Sequence, residues 1–153
     1  MRLNSLTNNF NKEILDMIDR FAYDMHLIKR DESKICTCIV HSTSQADPSC
    51  KKCLGTGYRI SIIKVKAAAQ DTKLPTTFRS DDFVVARNFF LKSEYYLDEN
   101  DLVVDKRTVY MVMEQQELIS LKGTLPYSKI CTVKKKFDSK IFFENFNEII
   151  NKR

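Results

Sequence analysis

The 153-residue sequence predicts a mainly β fold with flanking helices: a small antiparallel β-barrel carrying a cysteine-rich insertion, an amphipathic helix before it and a short helix after it. Three observations carry that expectation. Helical spacing of apolar residues is confined to the two ends, short apolar or alternating runs divided by polar turns fill the middle, and four of the five cysteines crowd between positions 36 and 53. Short strands with no helices between them favour an antiparallel sheet closed into a barrel over a parallel sheet. The expected organisation is one compact domain, with an N-terminal helix over 1–30, a cysteine loop over 31–59, the barrel over 60–138 and a C-terminal helix over 139–153.

From about Asn8 to Lys29, Phe10, Ile14, Ile18, Phe21, Ala22 and Met25 fall at the three-and-four spacing of an amphipathic helix. Lys12, Glu13, Asp16, Asp19, Arg20 and Asp24 take the opposite face. Such a stripe serves core packing more often than docking on a partner chain.

The cysteines come next: Cys36-Thr37-Cys38, an eleven-residue span, then Cys50-Lys51-Lys52-Cys53-Leu54-Gly55-Thr56-Gly57. A tetrahedral zinc ion takes four sulfur or nitrogen ligands, at about 2.3 Å for sulfur, and two short cysteine pairs across a flexible span supply them. Gly55 and Gly57 are expected to turn the chain at positive φ, leaving backbone N–H groups aimed at the thiolates. The expected ligands are Cys36, Cys38, Cys50 and Cys53, with His41 as a reserve for either thiolate of the first pair. Four cysteines close the coordination shell, so the zinc expected over 31–59 is structural rather than catalytic. Ser42, Thr43, Ser44, Gln45, Asp47, Pro48 and Ser49 have almost nothing to bury, and metal binding would supply the folding energy of that span. Met1 to Ser5 lead into no continuous apolar segment of a secretory signal, so the thiols are expected to be reduced. Cys131, in an alternating stretch, reads as a small buried hydrophobe.

Strand patterns follow the loop. Tyr58, Ile60 and Ile62 alternate with Arg59 and Ser61, and apolar runs occur at Phe83 to Ala86 and Phe89 to Leu91. Leu102-Val103-Val104, a polar turn over Asp105 to Thr108, and Val109 to Met113 read as a hairpin. Lys129 to Val133 reads as a further strand after a turn at Gly123 to Pro126. Asp138 and Ser139 then open a short helix whose Phe142, Phe146, Ile149 and Ile150 stripe fits either one end of the barrel or a neighbouring subunit.

No catalytic motif emerges. The sequence has no Gly-rich phosphate loop, nucleophile elbow or His-Glu-x-x-His motif, and neither His26 nor His41 has a partner at a telling spacing. Asp98-Glu99-Asn100-Asp101 lacks the spaced ligands of a calcium loop and reads as a solvated turn. The reading is therefore non-enzymatic. A formal charge of +5 falls by two once four thiolates enclose a divalent ion, a balance that permits acidic partners without demanding them. Lys134 to Lys136 reads as a solvated strand edge as readily as a phosphate contact.

The Asp47-Pro48-Ser49-Cys50-Lys51-Lys52-Cys53-Leu54-Gly55-Thr56-Gly57-Tyr58 block, with Cys36-x-Cys38, Asn100 to Val104 and Val109 to Val112, resembles the small neck proteins of tailed bacteriophages. These are head-completion or head–tail connector subunits, virion structural proteins in which a loop of the form Asp-Pro-x-Cys-x-x-Cys-x-Gly-Thr-Gly interrupts the start of a small β-barrel. The resemblance covers about residues 30 to 138. This chain departs from it at Cys36-x-Cys38, where the family often has Cys-x-x-Cys. The resemblance implies no catalysis, a structural Zn²⁺, and assembly as a ring of copies. Its implied partners are a portal or adaptor protein on the head side, a tail or tail-terminator protein on the other, and packaged DNA, with no membrane. Synthesis in the host cytoplasm would end in the virion. The alternative is a zinc-ribbon nucleic-acid-binding accessory protein that uses Lys51, Lys52, Arg59 and the Lys134 to Lys136 run.

Overall fold

Residues 2–39, 43–73, 85–120, 123–135 and 139–152 are described by the computed structural model of the chain. Among them lie helix α1 (Arg2–Phe21), strands β1 (Tyr23–Ile35), β2 (Tyr58–Lys73), β3 (Val85–Lys92), β4 (Leu102–Asp105), β5 (Thr108–Ser120) and β6 (Gly123–Lys134), and helix α2 (Ser139–Asn151). The strands close an antiparallel barrel in the order β1-β2-β3-β6-β5-β4. The mainly β class, the closed barrel and both flanking helices agree with the sequence expectation. Among the described strands, closure leaves no open edge for a stray chain to pair with.

Two compact units divide the chain: Met1–Leu27 with Lys64–Lys135, and Ile28–Ile63 with Lys136–Arg153. In the first, residues two apart on successive strands fill one core, as strand alternation requires. Met25 and Leu27, Val65 and Ala67, Phe89 and Leu91, Tyr110 and Val112 contribute such pairs, joined by Leu97, Val103 and Ile130. The Phe89 and Tyr110 rings meet edge to face at 5.4 Å between centroids. On α1, Ile18 is buried with Ala68 and Tyr127, and Ile14, Leu15, Phe90 and Leu118 pack against that cluster. Ile14, Leu15 and Ile18 of α1 thus pack within their own unit, and among the described residues Met17 and Phe21 stay exposed on that helix.

The β4–β5 hairpin follows the expected pattern, with Asp105 opposite Thr108 across Lys106-Arg107. Lys106 takes φ +55°, the left-handed conformation that a two-residue hairpin turn demands. Between β3 and β4, Gln115 clips the connection down. Its side chain accepts the Leu97 N–H at 2.7 Å and donates to the Tyr95 carbonyl at 3.1 Å and to Ser128 Oγ at 2.8 Å. The acidic run there is a turn whose buried Asp101 carboxylate accepts the Asp98 N–H at 2.8 Å.

Three expectations need correction. The N-terminal helix ends at Phe21 instead of Lys29, because Tyr23, Met25 and Leu27 alternate into the core as a strand; Met25 also fits helical spacing from Phe21, which disguised the change. His26 is accordingly on β1. Gly123 to Pro126 belongs to β6 rather than to a turn, and β5 continues past Met113 to Ser120. Pro126 is accommodated where the β5–β6 register shifts between Glu117 and Ile119, an irregularity that spares the ladder hydrogen bond proline cannot donate.

The second unit holds the cysteine loop, the strand segments flanking it, and α2. Ile28, Cys53, Leu54, Phe142 and Phe146 are buried there. Phe142 stacks on Phe146 at 5.8 Å, with Phe143 edge-on to both. The Arg30 guanidinium lies over the Tyr58 ring, 5.1 Å from its centroid.

Candidate metal centre

The Cys36 N–H donates to the Gly57 carbonyl at 2.9 Å, closing the loop where β1 ends and β2 begins. A turn from Cys36 to Ile39, closed at 3.2 Å, sets the first pair of sulfurs. The second pair depends on Asp47. Its Oδ1 accepts the Ser49 N–H at 2.9 Å and the Ser49 hydroxyl at 2.7 Å, contacts that hold its carboxyl below the usual carboxylate range. The Asp47 carbonyl accepts the Cys50 N–H at 3.1 Å, and the chain then winds through Leu54 N–H to Cys50 carbonyl at 3.0 Å and Thr56 N–H to Cys53 carbonyl at 3.0 Å.

Both glycines adopt the expected left-handed conformation, Gly55 at φ +80° and Gly57 at φ +81°. A Cβ on Gly57 would stand 3.1 Å from Ile39 Cδ1 and 3.2 Å from Ala46 Cβ, so space as well as backbone angle selects glycine.

Cys36 Sγ lies 3.8 Å from Cys50 Sγ, Cys38 Sγ lies 3.5 Å from Cys53 Sγ, and all four sulfurs fall within 4.8 Å of one another. A disulfide needs about 2.05 Å, and the cysteines are free thiols. A tetrahedral ion bonded at about 2.3 Å sets neighbouring sulfurs about 3.8 Å apart. The Cys36–Cys50 and Cys38–Cys53 separations lie near that dimension. Four cysteines at this separation could hold a metal ion.

The surrounding backbone suits sulfur anions. Burial works against the Cys50 thiolate, yet the N–H groups of Cys53 and Lys52, together with the Cys53 and Cys38 thiols, outweigh that effect and bring its pKa down to about 7. Cys53, fully buried, goes the other way. Burial pushes its thiol up to about 12 despite N–H groups from Gly57 and Gly55. Burial also raises Cys38, against the Asp47 N–H. Buried sulfurs that already accept backbone N–H groups need a cation close by to be stable as thiolates, and a bound metal is such a cation.

Cys36, Cys38, Cys50 and Cys53 are thus together, whereas Cys131 lies half-buried on β6, paired across the ladder with Asn88 and outside the cluster. The reserve ligand His41 lies outside the described residues, as does Lys136.

One participant escaped the sequence reading. Helix α2 meets the cysteine loop directly: the buried Asn145 side-chain amide donates to the Ser49 carbonyl at 3.1 Å, and Lys51 Nζ lies 3.3 Å from the Glu148 carboxylate. Ser49 and Lys51 flank Cys50. The only advance signal was a polar residue, Asn145, set within the apolar face of the final helix.

No family model matches the chain, and no curated protein matches it.

Proposed function

We propose that this chain is a structural subunit of a tailed-bacteriophage neck, built around a structural zinc ion and assembling as a ring between portal and tail. What supports the reading is one coincidence. The Asp47 to Tyr58 block that resembles the neck proteins brings Cys50 and Cys53 to Cys36 and Cys38, giving a four-cysteine loop between the first two strands of a closed six-stranded barrel, the arrangement that resemblance implies. Zinc suits the donor set because thiolates are soft ligands and a filled d shell accepts tetrahedral geometry without preference. Cys36, Cys38, Cys50 and Cys53 would hold it, and the ion supplies charge compensation and a rigid cross-link to the loop. Rigidity lowers the ordering cost when such a loop meets a neighbour in a ring. Among the described residues no helix is long and apolar enough to cross a membrane.

Immunogold labelling of particles from the source lysate tests the reading. Gold is expected at the head–tail junction, and a protein found only in the soluble fraction, absent from every particle, contradicts it. The double variant Cys50→Ser/Cys53→Ser is expected to incorporate poorly into particles.

One observation favours the nucleic-acid-binding alternative. Lys29, Arg30, Lys34 and Arg59 line an open groove of about 400 Å³ in the second unit, with Asp31 the lone acidic side chain among its lining residues. Binding through these cations would weaken with salt, log K falling by about 0.9 per phosphate contact for each tenfold rise in salt. Salt-insensitive binding, or none, removes that reading.

A further inference from the structure

We infer that metal loading of the cysteine centre and docking of α2 are one coupled equilibrium, with Ser49 and Lys51 as the platform and Asn145 as the sensor. The inference rests on the metal reading above and adds a consequence for the C-terminal helix.

Geometry carries the argument. Ser49 and Lys51 sit on either side of a sulfur ligand, so the position of the Ser49 carbonyl is fixed by the turn that presents Cys50. That turn has little else to hold it. Asp47, Pro48, Ser49, Lys51 and Lys52 are exposed, and its internal bonds are short-range ones, Ser49 and Cys50 donating to Asp47 and the Leu54 N–H to the Cys50 carbonyl. A polar segment of this kind draws its order from the ion that ties it to Cys36 and Cys38. Asn145 is only 6% exposed, so its amide cannot turn to water if the Ser49 carbonyl moves away. A buried donor left without its acceptor opposes docking of the helix that carries it. The Lys51–Glu148 pair is exposed on both sides and adds orientation more than strength.

Coupling of this kind is reciprocal: if the metal favours the docked helix, the docked helix favours the metal by the same factor. Loss of the Asn145 hydrogen bond is therefore expected to weaken zinc affinity although Asn145 touches no ligand sulfur.

Hydrogen exchange on the full chain, with zinc and after chelation, combined with competitive zinc titration of Asn145→Ala, tests the coupling. Chelation is expected to strip protection from α2 while amides of β3, β5 and β6 keep theirs. Asn145→Ala is expected to bind one zinc about tenfold more weakly and to show an unprotected α2 even when loaded. Protection of α2 that survives chelation, or a variant affinity equal to the wild type, overturns the coupling while leaving the zinc reading intact. A chain that takes up no zinc overturns both. Should Asn145→Ala lose the barrel amides as well, the wild-type chelation result alone decides.

Discussion

Arg87 Nη1 lies 2.6 Å from Asp105 Oδ2, and the same carboxylate oxygen accepts the Tyr23 hydroxyl at 2.7 Å, so one buried carboxylate joins β3, β4 and β1. The Asp105 side chain is 2% exposed. Arg87 has a second neighbour in Asp71, 3.1 Å from Nε, but that ion pair lacks the alignment of a hydrogen bond and sits at an exposed carboxylate. Burial and the Asp105 carboxylate together raise the Tyr23 hydroxyl's pKa.

Removing the acid from this group leaves a guanidinium poorly compensated. Asp105→Ala is expected to destabilise the protein by about 3 kcal/mol, the low end for breaking a buried pair because Arg87 is partly exposed. The apolar double replacement Asp105→Leu/Arg87→Met should recover much of that loss. Urea midpoints of the three proteins decide it, and an Asp105→Ala midpoint equal to wild type contradicts a stabilising role.

Helix α1 is tied to β6 by a hydrogen bond from the Tyr127 hydroxyl to the Asp19 carboxylate. This bond, aided by burial, pushes the Tyr127 pKa up to about 12 from an ordinary 10.0. A group with a raised folded pKa keeps its full contribution below the unfolded value and loses it as pH climbs through the folded one. Stability is therefore expected to fall between about pH 10 and pH 12. Tyr23 works in the same direction, so the decisive quantity is the difference between wild type and Tyr127→Phe. The variant should cost about 1 kcal/mol at neutral pH, and that gap should narrow above pH 10. A gap that stays constant in denaturation midpoints across the range is inconsistent with the bond.

Gly57→Ala should weaken metal binding without unfolding the barrel. The new methyl meets Ile39 and Ala46 at 3.1 and 3.2 Å, and an L residue at φ +81° is strained in any case. Strain of about 1–3 kcal/mol corresponds to a rise in zinc Kd of about fivefold to about 150-fold. Competition against a chromogenic chelator reads it directly, and an unchanged Kd shows that the turn tolerates a side chain.

Gln115→Met removes three hydrogen bonds while nearly conserving volume. The Leu97 N–H loses its acceptor, and the Tyr95 carbonyl and Ser128 hydroxyl lose a donor, at an expected cost of about 2–3 kcal/mol. Amide exchange at Leu97 should accelerate far more than at Val103 or Val112. Equal acceleration at all three would point to global destabilisation instead.

The barrel was legible wherever polar and apolar residues alternate cleanly, as in Tyr58 to Ile62, or where a polar turn divides two apolar runs, as in Leu102 to Met113. The four sulfur positions were legible because ligand spacing and glycine placement are local properties of the chain. The first strand was not, since Met25 satisfies both a helical and a strand period. Contacts between distant polar residues left no trace in pattern: Arg87 and Asp105 are eighteen positions apart, and Asn145 and Ser49 ninety-six. Each is an ordinary strand, helix or loop residue until the fold brings its partner within reach.

X-ray absorption at the zinc edge, on protein whose metal content has been measured by native mass spectrometry, tests the four-cysteine centre most directly. One zinc per chain, in a shell of four sulfurs at about 2.3 Å that is lost in Cys50→Ser/Cys53→Ser, is the expected result. A chain that carries no metal when isolated under reducing conditions, or a shell containing oxygen in place of sulfur, would contradict the account.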